Sequence, residues 1–373
     1  MSAFWQADLA SEAKIPVAKP LLPSFDAIAP YLRRIDETRW YSNGGPIVQE
    51  FEGRLAAHTG SEAKVATIAN ATIGLALALQ AQGARPGTLC MVPAWTFAGS
   101  AHAIVVAGLV PWMVDVDPVT WALEPAAARA LVRSAPGELS AVMPVSPFGA
   151  PMKTEPWESF RDETGIIVVI DAAAAFDTVQ ESSVPSIVSL HATKVLGIGE
   201  GGFVTSTDAT FIEEVQKRAN FGFWNSREAK VWALNGKISE YAAAVGLAAL
   251  DGWPQARADF AQVGSLYRKS LTALGDIVMQ PGFGDRWISS TVLVAALSSG
   301  AHLMARELAK EGIETRQWWG GGLHRHAAFR SYPHNAVPIT ERLAHTVIGL
   351  PCWVDLPDHE IARVSQVINS ISV

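Results

Sequence analysis

Between about residues 47 and 208, short runs that are apolar throughout alternate with segments whose apolar residues recur at helical spacing. The strand-like runs are KVATIAN, TLCMVPA, VPWMVDVD, SAVMPVSPFG, GIIVVIDAAAA and GFVTSTD. The helix-like segments are IVQEFEGRLAAHTG, ATIGLALALQAQGA and TFAGSAHAIVVAGL, which end near Gly60, Gly83 and Gly108. Half-buried strands alternate apolar and polar residues. Strands that are apolar on both sides belong in a mostly parallel sheet covered by helices on both faces. The rhythm therefore predicts an α/β domain.

After Asp208 the pattern changes. FIEEVQKRANFGFWNSR opens as an amphipathic helix, and SEYAAAVGLAALDGW reads as an Ala-rich one. ARADFAQVGSLYRKSLTAL predicts a further helix, SSTVLVAAL a strand, HLMARELAKEGI a helix, and DLPDHEIARVSQVINSI a closing helix. The expected division is a large α/β domain over residues 1–250 and a smaller α+β domain over 251–373. No internal repeat or low-complexity tract is present.

Composition excludes several functions. A net charge of -7 and a pI near 5.7 argue against nucleic acid as a partner, because phosphate recognition needs a basic face. No stretch approaches the ~18 uninterrupted apolar residues of a membrane span. MSAFWQADLASEAK carries acidic residues and no apolar core, so it does not read as a signal peptide. Cys90 and Cys352 stand far apart without metal-ligand spacing, which predicts reduced thiols and a cytoplasmic protein. With 49% hydrophobic and only 17% charged residues, part of the surface is expected to be covered by a partner subunit.

The stretch HATKVLGIGEGGFVTSTD, residues 191–208, holds two motifs at once. Gly197, Gly199 and Gly202 fit G-x-G-x-x-G. A dinucleotide turn must follow a strand and open a helix, so that the helix N-terminus holds the pyrophosphate. Here the glycines lead into β-branched residues that read as a strand, and the pattern is in the wrong context. The other motif is Lys194 itself. Upstream, IIVVIDAAAAF ends an apolar run on Asp171, at the strand end where α/β folds build their sites. A lysine amine that forms an imine, with an aspartate that keeps a pyridine nitrogen protonated, is what pyridoxal 5'-phosphate (PLP) chemistry requires. Read locally, Asp171 fits a helix cap or a turn equally well, and Lys194 fits a solvated surface lysine.

The ordered series YSNGGPIVQEFEGRLA, ANATIGLALAL, VPAWTFAGSAHAI, VDVDPVTWAL, IDAAAAF, SLHATKVLGIGEGGF and LNGKISEYAAAVGL resembles the DegT/DnrJ/EryC1/StrS family of PLP-dependent sugar aminotransferases, which have fold type I. RQWWGGGLHRHAAF and LPCWVDL match weaker C-terminal patterns. The resemblance implies a mostly parallel mixed sheet in the large domain and a homodimer with a shared active site. It also implies PLP as cofactor, with pyridoxamine phosphate as intermediate. Lys194 and Asp171 are the implied catalytic pair. Ala71, Thr72 and Ser189 are implied at the phosphate, Phe97 over the ring, and Asn235 at the phosphate of the neighbouring subunit. Trp95 is a second aromatic candidate, on the expectation that it faces the same side as Phe97. Ser42, Asn43, His191, Arg316, His324 and His326 are implied on the substrate side. The implied reaction moves an amino group from a donor, L-glutamate, to a keto group of a nucleotide-linked deoxysugar.

The chain departs from the family pattern at Ala174, where Gln or His usually contacts the cofactor's phenolic oxygen, and at Ile170, where an acid is common. Two alternatives stay open at this point. One is a family member acting on a non-sugar ketone such as a cyclitol. The other is a PLP-binding protein with regulatory duty and little turnover.

Overall fold

Every apolar run named above becomes a strand, and the helical segments pack against them. The computed structural model describes residues 14–272 and 275–371. The stretch read for a leader, apart from Lys14, and the last two residues of ARADFAQVGSLYRKSLTAL lie outside the described residues.

In chain order the helices and strands are α1 (Phe25–Thr38), α2 (Pro46–Thr59), β1 (Lys64–Ile68), α3 (Ala71–Ala81), β2 (Leu89–Pro93), α4 (Ala98–Val106), β3 (Val110–Val114), α5 (Pro125–Leu131), β4 (Leu139–Val142), α6 (Glu155–Thr164), β5 (Ile167–Val168), β6 (Ile170–Asp171), β7 (Ser186–Ser189), β8 (Gly202–Ser206) and α7 (Ala209–Ala219). They are followed by α8 (Glu240–Leu271), β9 (Ile277–Met279), β10 (Val292–Ala296), α9 (Gly300–Lys310), α10 (Pro338–Thr346), β11 (Val347–Leu350) and α11 (Asp358–Ile371).

β5 and β6 are two halves of one extended run that flank Val169. Through them the large sheet has the order β3-β2-β4-β5/β6-β7-β8-β1. Pairings β3–β2, β2–β4, β4–β5 and β6–β7 are parallel; β7–β8 and β8–β1 are antiparallel. Successive side chains of a strand point to opposite faces, and both faces are buried here. Val65, Met91, Val142, Val188 and Phe203 enter one apolar cluster, with Phe51 of α2 and Leu247 of α8. Their neighbours Ala66, Val92, Ala141, Ile187 and Val204 enter another, with Leu75 of α3, Ile104 of α4 and Val215 of α7. This is why the strand sequences show no polar alternation.

β9, β10 and β11 form a separate antiparallel sheet in the order β11-β10-β9. One correction to the sequence reading lies between the two sheets. The pattern predicts two helices, either side of Pro254, but α8 is one helix that passes through it. An internal proline costs about 3 kcal/mol. The apolar face continues across it through Leu247, Trp253, Phe260, Val263 and Tyr267, all buried, and burying such side chains is worth about 1.5–3 kcal/mol each. The expected division near residue 250 therefore falls inside this helix. Among the described residues, no helix is long and apolar enough to cross a membrane.

The sheets are also joined by a carboxylate. Asp115, just past β3, accepts from Ile339 N (2.8 Å), Thr340 N (2.8 Å) and Thr340 Oγ1 (2.8 Å). Val337, the residue preceding α10, gives no side-chain cap, so Asp115 caps that helix from across the molecule. Thr340 is fully buried. Asp115→Ala is expected to lower unfolding free energy by about 2 kcal/mol, with Asp115→Asn losing less; denaturant titration of the three proteins measures both.

Candidate functional site

The carboxyl ends of the parallel strands carry the residues in question. Asp171 ends β6 and is 6% exposed. Its Oδ1 accepts from Ala173 N at 3.1 Å and its Oδ2 from Ser100 Oγ at 2.6 Å. Burial pushes its carboxyl above the ordinary aspartate range. The Ser100 hydroxyl, the Ala173 N–H and the Lys194 charge pull the other way.

Lys194 sits in the return between β7 and β8. Leu190 N bonds Gly201 O (2.9 Å), Ile198 N bonds Leu190 O (2.8 Å) and Ala192 N bonds Gly199 O (2.8 Å), which folds the loop back on itself. Gly199 has φ +98°, a conformation that favours glycine. The glycines thus shape a lysine-bearing hairpin that re-enters a strand, not a dinucleotide turn. Among the described residues Lys194 Nζ makes no hydrogen bond or ion pair. Burial holds its amine below the ordinary lysine range, while the Asp171 charge opposes that shift.

A continuous cradle surrounds this pair. Ser189, at the end of β7, donates its N–H to Ala173 O (3.3 Å) and pairs with Gly202 across the sheet. A Cβ on Gly202 would lie 2.7 Å from Val188 O and 3.2 Å from Ala71 N, so the start of α3 presses against this point. Asn70 caps α3 by accepting from Ile73 N (3.0 Å). The N–H groups of Ala71 and Thr72, at the first turn, have no acceptor among the described residues. An anion at a helix N-terminus satisfies such groups and the helix dipole together. A Cβ on Gly99 would stand 3.0 Å from the Phe97 ring and 3.3 Å from Thr72 Oγ1. Phe97 is 62% exposed, unusual for a phenylalanine beside a buried charge pair. The structure therefore brings Ala71, Thr72, Phe97, Asp171, Ser189 and Lys194 together.

Trp95 does not join them. It is 1% exposed and packs with Leu293, Leu343, Val347 and Trp319 between the two sheets. Its expected side was wrong, because α4 starts at Ala98 and the chain turns between Trp95 and Phe97.

His191 belongs to the lysine loop. Its Nδ1 lies 2.9 Å from Thr193 Oγ1 and accepts from Thr193 N (3.2 Å). Ser42 and Asn43 form an exposed turn, with Asn43 at φ +66°. Buried Glu240 clamps that turn from both sides: its N–H bonds Tyr41 O (3.1 Å) and its carboxylate accepts from Ile47 N (2.8 Å). Asn235 is exposed, and its neighbour Gly236 accepts from Ala69 N (2.6 Å), next to the first turn of α3 in its own chain.

Among the described residues, Arg316, His324 and His326 make no hydrogen bond or ion pair with the cradle residues, but their segment is tied to its rim, since Leu323 N bonds Ala94 O (2.9 Å). Arg316 pairs with Gly349 and lies 4.9 Å over the Trp318 ring. His326 Nε2 is 3.4 Å from Trp319 O. His324 is buried, 3.6 Å from Glu341 Oε1, and burial holds its imidazole below the ordinary histidine range. A cavity of about 310 Å³ opens beside Lys194, bounded by Lys19, Gln255, Asp259, Ser290 and Trp353. The sequence reading missed Ser100, Thr96 and Glu240. Ser100 lies in the first turn of α4 and Thr96 just before its Phe97 N-cap, and their hydroxyl oxygens come within 2.8 Å.

A model of the DegT/DnrJ/EryC1/StrS aminotransferase family matches residues 25–369. Protein Rv3402c of Mycobacterium tuberculosis is 29% identical over 377 residues, covering 96% of this chain and 90% of its own. The dTDP-4-amino-4,6-dideoxy-D-glucose transaminase of Escherichia coli is 26% identical over 373 residues, covering 96% and 99%. The crystal structure of DesI in the presence of its TDP-sugar product superposes with a TM-score of 0.87 at 31% identity, covering 97% of this chain and 94% of that one. The chain belongs to the DegT/DnrJ/EryC1/StrS family and is a PLP-dependent aminotransferase of fold type I. The residues present fit PLP: an unpaired amine, a buried carboxylate, free helix N–H groups and an exposed aromatic ring share one cradle.

The charge coupling has a measurable sign. Only the neutral amine attacks a carbonyl, and the Asp171 charge raises the proton affinity of Lys194. Asp171→Asn is expected to move the pH midpoint of PLP uptake by the apo-protein to lower values, followed as the growth of visible absorbance in stopped flow.

Proposed function

We propose that this aminotransferase takes its amino group from L-glutamate and delivers it to the keto group of a nucleotide-linked deoxysugar. What supports the acceptor class is near full-length similarity to a dTDP-amino-sugar transaminase and to a structure that holds a TDP-sugar. Bound PLP supplies an electron sink for the carbon that loses and gains the proton. In this reading Lys194 holds the cofactor covalently and then carries that proton, a double task that suits a flexible amine of lowered basicity. Asp171 pairs with the ring nitrogen. The Ala71 and Thr72 N–H groups and Ser189 Oγ bind the phosphate, and Phe97 stacks on the ring. His191 orients the lysine loop through Thr193. Ser42, Asn43, Arg316, His324 and His326 line the acceptor side, with neutral His324 offering a hydrogen bond and Arg316 the positive charge for a diphosphate.

The active enzyme in this reading is a homodimer. Trp40 (49%), Tyr41 (47%), Tyr241 (46%), Phe221 (48%) and Trp232 (81%) are all exposed. Trp40, Tyr41 and Tyr241 lie about the Ser42–Asn43 turn, with Tyr41 and Tyr241 stacked at 6.2 Å, and Phe221 and Trp232 lie near Asn235, so exposed apolar rings accompany both sets of residues assigned to a shared site. Apolar patches of this kind mark interfaces. Asn235 then reaches the phosphate bound by the neighbouring subunit. Both cysteines are buried and unpaired, which suits a cytoplasmic setting.

Ala174 favours a second reading, a PLP-binding protein with little turnover, because it offers no polar atom to the cofactor's phenolic oxygen. One experiment separates the two. L-glutamate should bleach the visible band of the PLP-loaded protein, and a TDP- or GDP-linked 4-keto-6-deoxysugar should restore it. Lys194→Ala should lower the rate by more than about a thousandfold. Restoration by a keto-cyclitol but by no nucleotide sugar would reassign the acceptor, and a band untouched by glutamate would favour the second reading. For the dimer, sedimentation should give twice the chain mass of 39.9 kDa, and Asn235→Ala should weaken PLP binding about tenfold by losing one hydrogen bond to a charged group.

A further inference from the structure

We propose that Ser100, backed by Thr96, is a positioning residue that keeps the Asp171 carboxylate ionised and fixed in orientation toward the cofactor's ring nitrogen. The inference rests on the reading of Asp171 given above.

A serine in the first turns of a helix ordinarily bonds back to a carbonyl of the same helix. Ser100 does not. Its hydroxyl crosses from α4 to β6 and reaches Asp171 Oδ2 at 2.6 Å. Thr96 Oγ1 lies 2.8 Å from the same hydroxyl oxygen. The three side chains are 1%, 1% and 6% exposed for Thr96, Ser100 and Asp171, so no bulk water competes for these bonds. A carboxylate only accepts, and each hydroxyl has one hydrogen. With Asp171 ionised, the direction of the chain is fixed: Thr96 donates to Ser100, and Ser100 donates to Asp171. Each bond polarises the next.

The relay counters the main force on Asp171. Burial favours the neutral acid, which would take up the proton it must share with the ring nitrogen. A donor on Oδ2 and the Ala173 N–H on Oδ1 both favour the charged form. They also fix the carboxylate plane, leaving the remaining lone pairs for the ring. Thr96 and Ser100 bracket Phe97, and Ser100 N bonds Phe97 O at 3.2 Å. One short segment thus sets both the stacking ring and the carboxylate's charge.

The test uses PLP-loaded wild type, Ser100→Ala, Ser100→Thr, Thr96→Val and Asp171→Asn. The readouts are the pH midpoint of the visible absorbance, PLP affinity, the L-glutamate half-reaction and the unfolding temperature of each apo-protein. Without the hydroxyl, positive charge is lost from the ring nitrogen, and the nitrogen contributed by Lys194 protonates more easily. Ser100→Ala should therefore move the midpoint to higher pH and slow the half-reaction about tenfold. Thr96→Val should move the midpoint less in the same direction, and Ser100→Thr should keep the wild-type midpoint. A midpoint that moves in Asp171→Asn but not in Ser100→Ala overturns the relay while the Asp171 assignment stands. A midpoint unmoved in Asp171→Asn removes both. Where Ser100→Ala fails to fold or load PLP, an unmoved midpoint in Thr96→Val overturns the relay.

Discussion

Asp171 and Lys194 place opposite charges at the carboxyl end of a sheet that is apolar on both faces. Two ionisable groups in such a place are costly, and their mutual attraction offsets the cost only with good geometry and further hydrogen bonds. The structure meets that demand unequally. Asp171 has a donor on each oxygen, whereas Lys194 has none of its own. Unequal treatment suits a cofactor site. In the proposed function the carboxylate is a permanent fixture that must hold its charge, and the amine is a reagent that must shed its own.

The parts of the cradle come from distant segments, so their alignment depends on backbone ties across the sheet ends. Ala69 N to Gly236 O seats the turn before α3 against the segment of Asn235. Leu323 N to Ala94 O seats the His324 segment against the end of β2. Asp115 couples the end of β3 to α10. Each tie joins an element of the large sheet to a segment distant from it in sequence. Loops at a strand end then behave as parts of a rigid rim, which is what positioning a reacting atom requires.

The large sheet was legible because its strands are apolar without alternation and its helices end on glycine. Lys194 and Asp171 were legible as chemistry only together. Alone, each had an ordinary structural explanation. What the sequence hid has physical causes. The single helix α8 was hidden because Pro254 reads locally as a break, and only the apolar face on either side of it overrides that signal. Trp95 was misplaced because a two-residue spacing fixes a side only in an extended chain, and the chain turns into α4 there. Ser100 and Glu240 were overlooked because a buried hydroxyl or carboxylate shows its partner only in three dimensions.

Glu240 illustrates how the site extends beyond the cradle. It is fully buried, caps α2 through Ile47 N, and takes Tyr41 O onto its own N–H. Among the described residues its Oε1 has no hydrogen-bond partner, and its charge helps push the nearby Glu52 carboxyl upward, after burial itself and against the bonds from Thr67. A buried carboxylate with a free oxygen beside a second acid is an unfavourable way to cap a helix, since a neutral side chain would do so without the repulsion. The Glu240 carboxylate on Ile47 N and the Glu240 N–H on Tyr41 O together fix the Ser42–Asn43 turn. The cost is concentrated where α2, the N-terminus of α8 and the Ser42–Asn43 turn meet, so the stability of this corner and the conformation of that turn depend on the same residue.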